Sequence, residues 1–191
     1  MKRIFLLLVV TVLVSCQKSE NSKADEFWEQ LQTHCGKAYE GTLTYPLEDA
    51  DFGDKKLVMH IRECSENQIK IPFFVGDDKS RTWIFTRKDG KIELKHDHRH
   101  EDGTPEDITM YGGLATNTGQ ATIQIFPADE QTTAMLPAAS TNVWWVTLDH
   151  GSFTYNLRRV GSDRLFTVTF DLSKTVEIPD APWGWEEGKN K

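Results

Sequence analysis

Three histidines at alternate positions are the residues of this chain that are best placed to do chemistry. His96, His98 and His100 lie in the stretch IELKHDHRHEDG, residues 92–103. An Asp-Gly pair at 89–90 precedes this stretch, which is typical of the turn in a two-strand hairpin. Alternate side chains of a strand share a face, and the apolar residues before the histidines share theirs. The pattern therefore predicts a polar site that faces the interior.

The spacing of these histidines is compatible with a site for a divalent metal such as zinc. Same-face neighbours on a strand lie about 6.6 Å apart, and a zinc–imidazole bond is about 2.0–2.1 Å long. His96 and His98 could therefore converge on one metal together with a ligand from another strand, whereas His100 joins them only if the strand bends. The alternative is a set of neutral imidazoles hydrogen-bonded at a polar barrel mouth. The intervening Asp97 and Arg99 are expected to face solvent.

Four further residues are candidates for binding a ligand beside the histidines. Arg81 has the same strand parity as Trp83, so its guanidinium is expected to enter the interior, where it would suit a carboxylate- or phosphate-bearing ligand. The alternative is an arginine that reaches solvent. Tyr111 opens a glycine-containing loop that is expected near the same mouth. Asp129 follows a strand end interrupted by proline and could direct a carboxylate inward.

The periodicity of the chain predicts one short helix followed by strands. The helix is expected over 25–35, with Asp25 as its N-cap and Gly36 after its end. Beyond it, short runs rich in β-branched and aromatic residues alternate with turn residues. The predicted strands are 38–45, 56–64, 68–75, 81–88, 91–100, 121–126, 142–149, 153–160 and 164–171.

Short connections between these strands favour an all-β antiparallel meander. Eight or nine such strands are expected to close into a small barrel, because closure removes exposed edges. A small meander barrel with an N-terminal helix resembles the calycin architecture of lipocalins. The lipocalin G-x-W signature is absent, since Gly41-Thr42-Leu43 contains no tryptophan. A two-sheet β-sandwich is the alternative fold.

The N-terminus combines a basic start, Met1-Lys2-Arg3, with an apolar run and the sequence Leu13-Val14-Ser15-Cys16. This combination resembles the lipobox signal of bacterial lipoproteins. The resemblance covers residues 1–16 and implies a cleaved signal peptide at 1–15 and a lipidated Cys16 that anchors the protein in a lipid bilayer. Gln17 stands where an inner-membrane retention signal would have aspartate, which implies the outer membrane of the cell envelope. Residues 16–24 are expected to form a flexible tether.

The body, residues 25–191, is expected to be a single domain. Its two cysteines, Cys35 and Cys64, are expected to form a disulfide outside the cytoplasm, and two free thiols are the alternative. A C-terminal segment with two tryptophans, residues 179–185, is expected to pack across the barrel as a lid or plug.

Composition and motifs together indicate three functions. The net charge of −7 argues against nucleic acid as a partner. The first function is a membrane-anchored binding lipoprotein that captures a small ligand at a mouth lined by histidine, arginine and aromatic residues, with or without a metal. The second is a metal-dependent enzyme that uses a His-x-His pair. The third is a structural protein of the envelope. The binding function is preferred because no recognisable nucleophile or general base accompanies the histidines.

Overall fold

The computed structural model describes residues 21–46 and 49–185. The signal peptide expected at 1–15, the expected lipidation site Cys16 and most of the expected tether lie outside the described residues. Within the part that is described, no helix is both long and apolar enough to cross a membrane.

A ten-residue helix, α1 (Lys23–Gln32), comes first. Ser22 is its N-cap: the Ser22 hydroxyl accepts a hydrogen bond from the backbone N–H of Asp25, and the Asp25 carboxylate accepts one from the backbone N–H of Ser22. This reciprocal pair is a capping box. The predicted N-cap, Asp25, is therefore wrong, because it is the third residue of the helix. The helix begins inside the segment expected to be tether.

The remainder of the described chain is mostly strand. The strands are β1 (Ala38–Tyr45), β2 (Leu57–His60), β3 (Glu63–Cys64), β4 (Gln68–Val75), β5 (Asp78–Lys88), β6 (Lys91–His98), β7 (Tyr111–Leu114), β8 (Ile123–Pro127), β9 (Asn142–Asp149), β10 (Ser152–Arg159) and β11 (Leu165–Val176). A short helix, α2 (Glu130–Met135), and a 3-10 turn (Pro137–Ala139) connect β8 to β9.

All of these strands belong to one antiparallel sheet. Its order is β7-β6-β5-β4-β2-β1-β11-β10-β9-β8, and β3 pairs with β4. Because β1 pairs with β11, the first and last strands lie side by side, and the sheet curls until β7 and β8 approach each other. The predicted all-β meander barrel is confirmed. A single continuous sheet is not a two-sheet sandwich, so that alternative is wrong.

Helix α2 holds the seam where β7 meets β8. The Thr132 hydroxyl accepts from the N–H of Gly112 at 2.7 Å and donates to the carbonyl of Gly112 at 2.8 Å. The N–H of Asp129 donates to the same carbonyl at 2.9 Å. A Cβ atom on Gly113 would lie 1.9 Å from the carbonyl oxygen of Pro127, so glycine is needed for this close approach.

Helix α1 closes one end of the barrel. Its buried face, Phe27, Trp28 and Leu31, joins the central core and is at most 1% exposed. Just beyond the helix, Cys35 forms a disulfide with Cys64 of β3, with a Cα–Cα distance of 6.2 Å. The predicted disulfide is confirmed, and it ties the helix to the barrel wall.

Three details differ from the strand prediction. The predicted strand 56–64 is interrupted, and its two halves, β2 and β3, both pair with β4. Strand β7 and helix α2 were not foreseen. Strand β6 ends at His98 instead of continuing to His100, because the N–H of His100 bonds to the carbonyl of Thr104 at 2.9 Å and the chain turns back.

The C-terminal segment packs across the barrel, as expected, but on the outside of its wall, so the expected lid or plug is wrong. The indole N–H of Trp185 donates to the Asp97 carboxylate at 3.0 Å, and Arg62 donates to the Trp185 carbonyl at 2.9 Å. The Lys70 ammonium lies 3.8 Å from the centre of the Trp185 ring. Asp97, which was expected in solvent, is consequently only 3% exposed.

Candidate functional site

A cavity of about 180 Å³ lies at the end of the barrel opposite α1. Fifteen residues from seven strands and the loops between them line it. The aromatic members are Phe52, Phe73, Trp83, Tyr111, Trp144, Tyr155 and Phe166; the others are Arg81, His96, His98, Leu136, Asn142, Leu157, Arg159 and Arg164.

Strand register explains why the residues predicted on β5 and β6 meet. In the ladder between these strands, Arg81 is paired with His98 and Trp83 with His96. His96 is in turn paired with Tyr111 of β7. Directly paired residues on one face lie about 5 Å apart. The structure therefore brings Arg81, Trp83, His96, His98 and Tyr111 to one cavity.

His96 is a fully engaged histidine at the floor of the cavity. Its Nδ1 lies 3.0 Å from the carbonyl oxygen of Tyr111, which can only accept, so Nδ1 carries the proton. Its Nε2 lies 2.7 Å from the phenol oxygen of Tyr155 and accepts that hydroxyl. Burial lowers the pKa of His96 to about 3, with smaller contributions in the same direction from His98 and Lys95. His96 is thus a neutral imidazole with both nitrogens occupied.

His98 lies closer to the mouth and bonds to the side chain of Tyr111. Its Nε2 is 3.0 Å from the Tyr111 hydroxyl, and its Nδ1 is 3.9 Å from a Glu106 carboxylate oxygen. The carboxylate favours a proton on Nδ1, which leaves Nε2 to accept from Tyr111. Burial and the positive charge of Arg81 lower the pKa of His98 to about 4. Burial also raises the pKa of Tyr111 to about 12, so the phenol stays protonated.

Flat aromatic faces form the walls. Trp83 and Tyr155 are stacked with ring centres 4.3 Å apart, and His96 and Tyr111 are stacked at 4.6 Å. Trp144 packs against His96 with ring centres 5.1 Å apart. Such contacts fix the rings in place, so the walls are formed before any ligand arrives.

The mouth is cationic. Arg81 is partly buried and forms an ion pair with Asp78. Arg159 donates from Nε to the amide oxygen of Asn142 at 3.0 Å. Arg164 is exposed and precedes β11. These three guanidinium groups line a cavity whose other residues are mostly aromatic.

Two predicted site residues lie elsewhere. His100 is exposed and outside strand β6, so it does not share the cavity with the other histidines. Asp129 caps α2 at the seam on the outer face, where its carboxylate lies 2.5 Å from the Lys95 ammonium. Burial would raise the pKa of Asp129, but hydrogen bonds from Lys95 and Thr132 and the Lys95 charge outweigh it and lower the pKa.

The predicted metal site at His96, His98 and His100 is not supported. Among residues 21–46 and 49–185, no three histidine, cysteine or acidic side chains are grouped so that they could hold a metal ion. The physical reason is local. Both ring nitrogens of His96 are used in hydrogen bonds, and His100 has left the strand.

The cavity residues contributed by the second half of the barrel were not predicted from the sequence. Tyr155, Leu157 and Arg159 share strand parity with the buried Phe153, so alternation along β10 was the available signal. Trp144 and Asn142 likewise share strand parity with the buried Val146 on β9. Arg164 lies in a turn, and no periodic pattern pointed to it.

No protein-family model, curated protein or solved structure matches this chain. The case for a function therefore rests on the geometry of the cavity.

Proposed function

We propose that this protein is a lipid-anchored binding protein of the cell envelope that captures a small water-borne molecule in the barrel cavity. The observation that carries the proposal is a preformed, largely aromatic cavity with a few convergent polar groups at one end of a barrel. Ligand sites of small-molecule binders commonly have this character.

The polar groups of the cavity suit binding better than catalysis. His96 bonds to Tyr155 and to the Tyr111 carbonyl, and His98 bonds to the Tyr111 hydroxyl. Both imidazoles are neutral near pH 7, because their pKa values are lowered to about 3 and about 4. His96 can act as a metal ligand only if one of its buried hydrogen bonds is broken, which costs about 1–3 kcal/mol. The metal-dependent enzyme is therefore not proposed.

The position of α1 supports a ligand that arrives from the aqueous side. Helix α1 closes the end of the barrel opposite the cavity, and it begins at Lys23, seven residues after Cys16. Seven residues span at most about 25 Å. An anchor at Cys16 would thus hold the closed end near the bilayer and direct the mouth away from it. We therefore propose the bilayer as a partner through Cys16. The proposal of the outer membrane rests on Gln17, which stands where an inner-membrane retention signal would have aspartate.

Replacement of Cys16 by serine tests the anchor. The full-length Cys16→Ser protein should move from the detergent phase to the aqueous phase in a detergent-partitioning experiment. Its thermal unfolding should be unchanged, because Cys16 precedes the folded body. Continued partitioning into detergent would refute the anchor at Cys16. It would not affect the proposal that the cavity binds a small molecule.

Filling the cavity tests the binding function. The full-length chain, purified in mild detergent, would be titrated by NMR with four single-ring probes: benzoate, benzamide, phenylacetate and phenylacetamide. At least one should give saturable shifts at the cavity residues. Leu157→Trp should abolish the shifts, because Leu157 lines the cavity. Leu165→Trp is the matched control, since it places the same indole on the neighbouring strand outside the cavity lining. No saturable shift with any probe would overturn the proposed function.

A further inference from the structure

The charges around the cavity identify the class of ligand. Of the described residues that line it, three are arginines and none is an aspartate or glutamate. The two histidines of the lining are neutral near pH 7, so they add no charge to that of the arginines. The chain as a whole is acidic, with a net charge of −7, and the cationic mouth is therefore a local departure from its composition.

Two of the three guanidinium groups have no carboxylate partner within the described part of the chain. Arg81 is paired with Asp78. Arg159 bonds to the neutral amide of Asn142. Neither Arg159 nor Arg164 forms an ion pair with a residue in 21–46 or 49–185.

The backbone places these two arginines opposite each other. The N–H of Arg159 donates to the carbonyl of Arg164 at 3.0 Å, next to the paired residues Arg158 and Leu165. Both side chains line the same cavity. Like charges directly opposite on adjacent strands are destabilising. A bound anion relieves this repulsion. An oxyanion between two guanidinium groups receives charge-assisted hydrogen bonds from both.

We infer that the ligand is a small organic anion with a single flat ring, whose acidic group lies between Arg159 and Arg164 and whose ring enters the aromatic interior. This inference rests on the proposed function. A cavity of about 180 Å³ is close to the engineered 150 Å³ cavity that holds benzene in another protein, so a single ring fits inside it.

Matched acid and amide probes test the inference, because each pair differs in charge and hardly in shape. Benzoate should bind the full-length chain at least tenfold more tightly than benzamide, and phenylacetate more tightly than phenylacetamide. Raising the salt concentration should weaken the binding of the acids and leave the binding of the amides nearly unchanged, since exposed charges are screened.

Single substitutions should distinguish the roles of Arg159 and Arg164 from that of the neighbouring Arg158. Arg159→Gln and Arg164→Gln should each weaken benzoate binding tenfold or more and alter benzamide binding less than twofold. Arg158→Gln is the matched control, because Arg158 is exposed, adjacent in sequence and absent from the lining. It should change neither affinity.

The outcomes distinguish the inference from the function on which it rests. If the amides bind as tightly as the acids, the cavity binds small molecules but the anionic ligand class is wrong. Equal losses for Arg158→Gln and Arg159→Gln would also overturn the inference, since they would indicate a general charge effect. If neither acid nor amide binds saturably, the proposed function fails and the inference fails with it.

Discussion

The ring nitrogen Nε2 of His96 lies 2.7 Å from the hydroxyl oxygen of Tyr155, on the opposite side of the barrel interior. Residues 59 positions apart in sequence are joined in this way, in a region where both side chains are almost fully buried. The bond makes sense only for a neutral imidazole that accepts the phenol proton, and the lowered pKa of His96 agrees with it. Protonation of His96 at low pH should therefore destabilise the folded protein.

The first prediction is a loss of stability in mild acid. Above about pH 6.5 His96 and His98 are neutral in the folded and unfolded states. Below that pH the unfolded chain takes up protons first, because the folded pKa values are about 3 and about 4. The free energy of unfolding should therefore fall as pH drops from about 6.5 towards 4. Burial lowers the pKa values of His34 and His60 as well, so these two histidines act in the same direction.

Urea unfolding across this pH range would measure the effect. His96→Gln should flatten the dependence, because it removes a buried titrating group. The control is His150→Gln at an exposed histidine, which should flatten the dependence less than His96→Gln does. A pH profile that His96→Gln does not flatten would show that the folded protein tolerates a charge at this position.

The second prediction concerns the seam. Thr132→Val keeps the shape of the side chain but removes both hydrogen bonds to Gly112. The expected loss is about 1–3 kcal/mol, since a buried N–H and a buried carbonyl lose a partner. Thr133→Val is the control: Thr133 is exposed and bonds only within its own helix region. Hydrogen exchange of β7 should accelerate in Thr132→Val alone. Equal exchange in both variants would contradict the role of the Thr132 hydrogen bonds in holding β7 at the seam.

The third prediction concerns the disulfide. Cys35 and Cys64 are separated by 29 positions. On the chain-entropy model, a cross-link over such a loop stabilises the fold by about 3–4 kcal/mol. The double serine variant should lose about that amount in chemical denaturation. Intact mass after alkylation without reductant should show no modification at Cys35 or Cys64 in the unaltered protein, and two added groups there would contradict the bridge.

The fourth prediction reverses an expectation from the sequence. Asp97 alternates with the inward histidines, so the sequence predicts that it faces solvent. Instead its carboxylate accepts from Trp185 at 3.0 Å and from Arg99 at 2.8 Å, and it is almost fully buried. Asp97→Ala should cost about 1–3 kcal/mol, because these donors and the Thr109 hydroxyl lose their acceptor. Exposed Asp107→Ala should cost almost nothing, and Leu94→Ala about 2–5 kcal/mol as a core truncation. Thermal unfolding of the three variants would rank them.

The alternation of side chains explains what could be predicted. It is a local property, and it correctly assigned Leu94 and His96 to the interior and Arg81 and Trp83 to the same cavity. Eight of the nine predicted strands recur as single strands for the same reason, since turns and periodicity are both encoded over a few residues.

Contacts that depend on distant segments could not be predicted in this way. Asp97 is buried by Trp185, which lies 88 positions further along the chain. Strand β7 reads Tyr-Gly-Gly-Leu, and glycine has little preference for strands, so its pairing follows from the seam rather than from propensity. Asp129 carried a local signal for a helix start, but a helix of six residues is too short for a clear period.

The closed end of the barrel limits how a ligand can enter and leave the cavity. Helix α1, held by the Cys35–Cys64 bridge, leaves the mouth as the route both into and out of the cavity. Arrival and departure then cross the same barrier. A substitution that changes only this barrier alters the association and dissociation rates by one common factor and leaves the equilibrium constant where it was. A substitution that removes a contact with the bound molecule acts mainly on the dissociation rate.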